Sequence, residues 1–152
     1  MRKFYLILPN IRSCHNVGAM FRTADAFGVD MLYLVGYTAE PPKPQIDKVS
    51  LGAEKWIPFK KVKNLKPLIR RLKKQGVKIV ALEKSKDSVD ISKVKFSKPI
   101  ALIVGNEVDG VDESVLKLCD SVVHVPMHGK KESLNVSIAA GIAMYIIKNN
   151  KK

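Results

Sequence analysis

The sequence predicts an α/β fold, a mostly parallel sheet with helices on both faces. Three observations carry that reading. Short apolar runs alternate with amphipathic stretches along the whole chain. The run Ile100-Ala101-Leu102-Ile103-Val104 is apolar at every position, as in a strand buried on both faces of a parallel sheet. The opening reads strand, helix, strand, a unit that joins parallel strands by a right-handed crossover.

Phe4 to Leu8 reads as a buried strand, broken by Pro9 and Asn10. From about Asn16, the residues Val17, Met20, Phe21, Ala24 and Phe27 recur on one helical face, and Gly28 stands where a helix stop belongs. Met31 to Val35 is a second strand, ended by Gly36. Tyr37 to Asp47 holds Pro41, Pro42 and Pro44 and reads as a loop. Ser50 to Lys55 reads as a short helix, and Ile57-Pro58-Phe59 as a short strand. Asn64 is placed to cap a helix with Leu65, Leu68, Ile69 and Leu72 inward; Pro67 is tolerated in its first turn and Gly76 ends it. Val77 to Leu82 is the next strand, followed by Ile100 to Val104. Asp112 is placed to cap a helix reaching about Leu118. Val122 to Val125 is the last strand, stopped by Pro126. The final helix runs from about Ser133 to Lys148, with Val136, Ala139, Ala140, Ala143 and Ile147 on one face. With no repeat and no linker, residues 1–152 read as one domain.

Charge narrows the function. Lys and Arg total 27 against 14 acidic residues, a net of +13. Such an excess favours a polyanionic partner, because each neutralised phosphate releases counterions. The aromatic share of 7% argues against a broad base-stacking platform. Lys60, Lys61, Lys63, Lys66, Arg70, Arg71, Lys73 and Lys74 crowd the central helix. They are a candidate nucleic-acid surface, with a solvated helix face as the plainer alternative. Cys14 and Cys119 make neither a disulfide framework nor a zinc site, and His124 and His128 lack convincing co-ligands, so no metal is expected. No apolar run reaches membrane-spanning length, and Met1 to Leu8 lacks a signal-peptide layout. The expectation is a soluble, cytoplasmic chain with no membrane partner.

Three polar motifs lie in apolar surroundings: Asn16 to Arg22, Gly105-Asn106-Glu107-Val108-Asp109-Gly110, and Ser133-Leu134-Asn135-Val136-Ser137. In parallel α/β sheets, ligand sites collect at the carboxyl ends of strands, where the second and third motifs stand. Gly105 and Gly110 allow a close backbone approach. Ser133 and Asn135 are placed to cap the last helix, and the same groups suit a small ligand. Asn16 is placed to cap the first helix. Gly18 one turn below Arg22 leaves a gap for a phosphate or ribose, and arginine suits bidentate phosphate recognition.

Taken together, Asn-x-Gly-x-x-x-Arg followed by Phe-Gly, then Gly-Asn-Glu-x-x-Gly, then Val-Pro-Met and Ser-Leu-Asn-Val-Ser resemble the signature of the SpoU (TrmH-like) RNA 2′-O-ribose methyltransferases of the SPOUT superfamily. The resemblance covers about Phe4 to Ile147, and Leu51-Gly52-Ala53-Glu54 resembles a segment frequent between the first two motifs. It implies an enzyme, a C-terminal trefoil knot and a homodimer with its active site near the interface. It implies S-adenosylmethionine held in the knot by Leu82, Glu83, Gly105, Asn106, Glu107, Val125, Met127 and Leu134. Arg22 would be the catalytic arginine, with Asn16, Glu107, Ser133 and Asn135 ordering the acceptor. RNA contacts are expected from Arg12, Arg22, Arg70 and Arg71.

The implied reaction is in-line attack of a ribose 2′-hydroxyl on the donor methyl, without metal. Arginine stays charged and is a poor base, so holding a phosphate and stabilising the developing alkoxide is its preferred role; direct deprotonation by a depressed arginine is the other. Which subunit Arg22 serves stays open at this level. The expectation is a catalytic domain without the N-terminal RNA-binding domain of many rRNA-directed relatives and without a long C-terminal extension, so tRNA is expected over rRNA. Two other readings compete: a non-catalytic RNA-binding or ribosome-assembly protein, and an RNA base methyltransferase.

Overall fold

The computed structural model of the chain describes residues 2–97 and 99–150. Its strands are β1 (Phe4–Pro9), β2 (Met31–Val35), β3 (Phe59–Val62), β4 (Lys78–Leu82), β5 (Val89–Asp90), β6 (Ile100–Ile103) and β7 (Ser121–His124). Its helices are α1 (Cys14–Ala26), α2 (Pro44–Ser50), α3 (Leu65–Lys74), α4 (Glu113–Leu116) and α5 (Val136–Asn149). The seven strands form one sheet in the order β3-β2-β1-β6-β4-β7-β5, and each neighbouring pair is parallel. Two late strands, β6 and β7, are slotted between strands laid down earlier or at the far edge.

Alternation along the strands builds two cores. Phe4, Leu6 and Leu8 of β1 and Ile100 and Leu102 of β6 face one layer, with Val17, Met20 and Phe21 of α1 and Ala140, Ala143, Met144 and Ile147 of α5. Ile7, Ala101 and Ile103 face the other, with Leu68, Ile69 and Leu72 of α3 and Val115 of α4. The central strand β6 is buried on both faces, which explains its unbroken apolar run.

Several local expectations move. Pro44 looked like part of a loop but opens α2, where a proline in the first turn loses no helical hydrogen bond. Leu51 then ends α2 in the left-handed region, and only Ala53–Lys55 makes a further single turn. The third strand is Phe59–Val62, not Ile57–Phe59, because its register is set by pairing with Leu32 to Val35. Lys60 and Lys61 disguised it; lysines are common on an edge strand, where they discourage further pairing. Ser13, not Asn16, caps α1, accepting from the Asn16 amide at 3.1 Å. The last helix begins at Val136, with Asn135 as its cap accepting from Ser137 N at 2.8 Å, so Ser133 lies outside the helix. α4 stops at Leu116, and β5 is too short to show any periodicity.

Gly18 does not open a gap for a ligand. A Cβ there would lie 2.6 Å from the Ile46 carbonyl oxygen, so the glycine lets α1 pack directly on α2.

Candidate functional site

A cavity of about 620 Å³ opens at the carboxyl ends of β6, β4 and β7, three neighbours in the sheet. Leu82 and Glu83 line it from the end of β4, Gly105 to Gly110 from the loop after β6, and Val125 and Met127 from beyond β7. Ser133, Leu134 and Asn135 close it on the approach to α5. The eight residues expected to hold a donor therefore share one cavity, as do Ser133 and Asn135. Its size suits one small ligand, and apolar walls with a few polar groups are the usual makeup of such a site.

The loop after β6 is held by Asn106. Its Oδ1 accepts from Val108 N at 2.8 Å and Asp109 N at 3.0 Å. Its Nδ2 donates to the Asn10 carbonyl and, at 2.8 Å, to the Tyr37 hydroxyl. Its backbone pairs with Gly110 in both directions, at 3.1 and 2.9 Å. The turn closes so tightly that a Cβ on Gly105 would sit 2.8 Å from the Gly110 backbone. Gly110 has φ +68°, and the Glu83 carboxylate packs against it while accepting from Val111 N at 2.6 Å. The Asn106 and Glu83 side chains thus shape the cavity wall; their polar atoms are largely spent on the protein.

Glu107 joins all three motifs. Its carboxylate accepts from Arg12 N at 2.8 Å, Ser13 N at 2.9 Å and Asn16 Nδ2 at 3.0 Å. Asn16, buried on α1, accepts in turn from Asn135 Nδ2 at 3.2 Å. Partial burial works against the Glu107 charge, but the Arg12 and Ser13 amides and the Asn16 amide outweigh it and hold the carboxyl below its usual value. A negative charge against the start of α1 also suits the helix dipole. Glu107 and Asn16 therefore act first as a clamp between the β6 loop, α1 and the α5 cap.

The arginines separate. Arg22 lies exposed on α1 and is not among the residues lining the cavity. Arg12 is exposed, tied to the site only through its backbone amide. Arg70 lines a second groove of about 910 Å³, between α3 and the loops after β1 and β2. Arg71, next in sequence, is also exposed but does not line that groove. Of the two adjacent arginines of α3, one therefore borders the groove and the other does not.

Sequence reasoning missed Val104, Lys84 and His124 in the cavity, and Tyr37 and Asn10 in the groove. Val104 ends one predicted strand and His124 lies one residue before the end of another, a signal that was available. Tyr37 carried none, since it lay in a stretch read only as loop. Among the described residues no group of three or more His, Cys, Asp or Glu is arranged to hold a metal, and no helix is long and apolar enough to cross a membrane.

A parallel sheet with its cavity at the carboxyl ends of adjacent strands, walled by a glycine-bounded loop and a helix cap, defines an α/β ligand-binding domain. The SpoU rRNA Methylase family model matches residues 3–145, and the chain belongs to that family. It is 41% identical over 137 residues to a tRNA (guanosine(18)-2′-O)-methyltransferase of Aquifex aeolicus, covering 90% of this chain and 64% of that relative. The chain thus spans less than two thirds of the relative's length. The crystal structure of the A. aeolicus TrmH/SpoU tRNA modifying enzyme superimposes with a TM-score of 0.88 at 36% identity, over 99% of this chain and 76% of that one. An AdoMet-bound rRNA methyltransferase from Sinorhizobium meliloti also gives 0.88, at 29% identity, over 96% of this chain and 56% of that one.

Proposed function

We propose that this chain is an S-adenosylmethionine-dependent RNA methyltransferase that modifies a ribose 2′-hydroxyl, with tRNA favoured over rRNA as substrate. One observation carries the reading: the second and third motifs line one cavity at the carboxyl ends of β6, β4 and β7, and the first is tied to both through Asn16, which bonds Glu107 and Asn135. The likeness to the A. aeolicus tRNA enzyme supports the ribose and the tRNA, and the AdoMet-bound S. meliloti structure supports the cofactor.

The cavity fits that cofactor by the chemistry of its lining. Leu82, Val125, Met127 and Leu134 offer apolar surface to an adenosine, and the chain around Gly105 offers closely approachable backbone. When bound, S-adenosylmethionine supplies a methyl group activated by its sulfonium. The apolar side chains of Leu82, Val125, Met127 and Leu134 would cover one side of it. Ser133, at the cavity edge, holds the acceptor ribose, and Asn135, engaged with Ser137 and Asn16, positions that edge. Arg22 holds a phosphate of the RNA and stabilises the negative charge that develops on the 2′-oxygen, a role that a permanently charged guanidinium fills without changing protonation.

The proposal includes a homodimer. Ile138, Ile142 and Tyr145 are exposed on α5 at helical spacing, an apolar stripe that a second copy would cover. Arg22 lies outside its own chain's cavity, so the dimer decides which cavity it serves. The trefoil knot belongs to the same proposal. It is supported by the late insertion of β6 and β7 into the sheet and by the passage of residues 132–139 along the cavity. A cytoplasmic location follows from an RNA substrate.

The test is transfer of labelled methyl from S-adenosylmethionine to total tRNA and, separately, to rRNA, followed by alkaline hydrolysis. Label retained in alkali-resistant dinucleotides, and lost with Arg22→Ala, is the expected result. Label released as single nucleotides would mean base methylation. Failure of S-adenosylmethionine to bind would sink the enzyme reading.

A further inference from the structure

We propose that the groove beside α3 is a subsite for one unpaired nucleotide of the RNA, its base stacked on Tyr37 and its phosphate held by Lys66 and Arg70. This rests on the RNA-methyltransferase reading and places a part of the substrate outside the donor cavity.

The groove, of about 910 Å³, shares Asn106, Asp109 and Gly110 with the cavity, so its occupant would lie one loop away from the donor. Tyr37 stands at its side and is 59% exposed. Both ends of this residue are fixed. Its amide donates to Asn10 Oδ1 at 3.0 Å, and its hydroxyl accepts from Asn106 Nδ2 at 2.8 Å. The ring is therefore presented in one orientation before any ligand arrives, which removes much of the ordering cost of stacking. Nothing in the packing of the core requires an aromatic residue at this exposed position.

The groove's charges select a nucleotide over a bare anion. Lys66 and Arg70 supply cations for a phosphate. Asp112 is already engaged, accepting from the Ser114 hydroxyl and lying beside Lys66. Asp109 leaves a carboxylate on the shared wall. It would repel a simple anion, but it can accept from the N–H groups on a base edge. Stacking on Tyr37 requires a base splayed out of its helix, so the segment bound here is single-stranded. The low aromatic content rules out a broad platform, whereas a single tethered ring reads one base.

The test uses the full chain with unfractionated tRNA and with unfractionated rRNA as probes, and measures S-adenosylmethionine affinity in parallel. Tyr37→Ala and Tyr37→Leu are expected to raise the RNA Kd about tenfold, the scale of one lost stacked base. Tyr37→Phe, which keeps the ring and loses the tether, stays within about threefold, and S-adenosylmethionine affinity holds to about twofold in all three. Tyr37→Ala combined with Arg70→Ala should cost less than the product of the single effects, because both groups hold the same nucleotide. The subsite is overturned if Tyr37→Ala binds both RNA pools like the unmodified chain, or if Leu serves as well as Phe. It is equally overturned if the loss in RNA binding tracks a loss of S-adenosylmethionine binding, since Tyr37 would then act through Asn106. Failure of the unmodified chain to bind S-adenosylmethionine instead removes the enzyme reading and leaves the RNA comparison legible.

Discussion

The two ends of α1 treat their polar residues in opposite ways. At its start, Ser13, Asn16 and the amides before them are bound into Glu107 and Asn135, and Asn16 is buried. Two turns further on, Arg22 stands exposed. In sequence these residues belong to one motif. In the fold, one end is a clamp beside the cavity, and the other is an exposed cation available to a substrate. The difference teaches that a polar motif can combine residues that build a site with residues that act from it.

Arg22→Ala is the sharpest way to divide the two ends. Methyl transfer is expected to fall about a hundred- to a thousandfold, the scale of removing one transition-state donor. Unfolding midpoint and S-adenosylmethionine affinity should hold. A drop in thermal stability equal to that of a clamp variant would erase the distinction.

Gly18→Ala should damage the helix between the two ends. Alanine gains about 1 kcal/mol in helix propensity. Its Cβ would however meet the Ile46 carbonyl oxygen at 2.6 Å, and backbone yields poorly. Overpacking of that kind costs about 1–3 kcal/mol, so urea denaturation should show a net loss. An alanine variant more stable than the parent would mean that α1 and α2 separate easily.

Glu107→Gln probes the clamp through acid. Its carboxyl is held below its ordinary value, so it stabilises the fold above the unfolded pKa and loses that contribution as pH falls through the lower folded value. Glutamine keeps one acceptor oxygen and loses the charge, at a cost of about 1–2 kcal/mol near neutral pH. The difference from the parent chain should shrink as pH drops to about 3. A pH-independent difference would assign the loss to packing instead.

Arg70→Ala and Arg71→Ala should give the smallest and most unequal pair. Loss of one phosphate contact lowers the slope of log RNA affinity against log salt by about 0.7–0.9. Arg70→Ala is expected to show that change, whereas Arg71, outside the groove, leaves the slope unaltered. Equal effects would return α3 to a uniform basic surface.

The first half of the chain was the more legible. β1, α1 and β2 emerge from a change of period between strand and helix, and Ile100 to Val104 announced its burial on both faces. Edges were less so. The lysines of β3 and the two residues of β5 carry no apolar alternation, because an edge strand buries little. Pro44 misled for a positional reason, since the same residue breaks a helix interior and opens a first turn. The cavity-lining residues were found by motif and by their place after strands. Tyr37 was not, because its tethers to Asn10 and Asn106 are made across the fold.

The sequence by itself determined the alternation of strands and helices, the two-sided burial of the central strand, the basic character and the three motifs. These are local or compositional properties, set by side-chain period, propensity and charge. Tertiary structure alone decided that Glu107 clamps α1, that Gly18 seats one helix on another, that Arg70 and Arg71 part company, and that Tyr37 is held beside the cavity. Each of those outcomes depends on pairing between residues far apart in the chain, and such pairing is settled only when the sheet order brings their strands together.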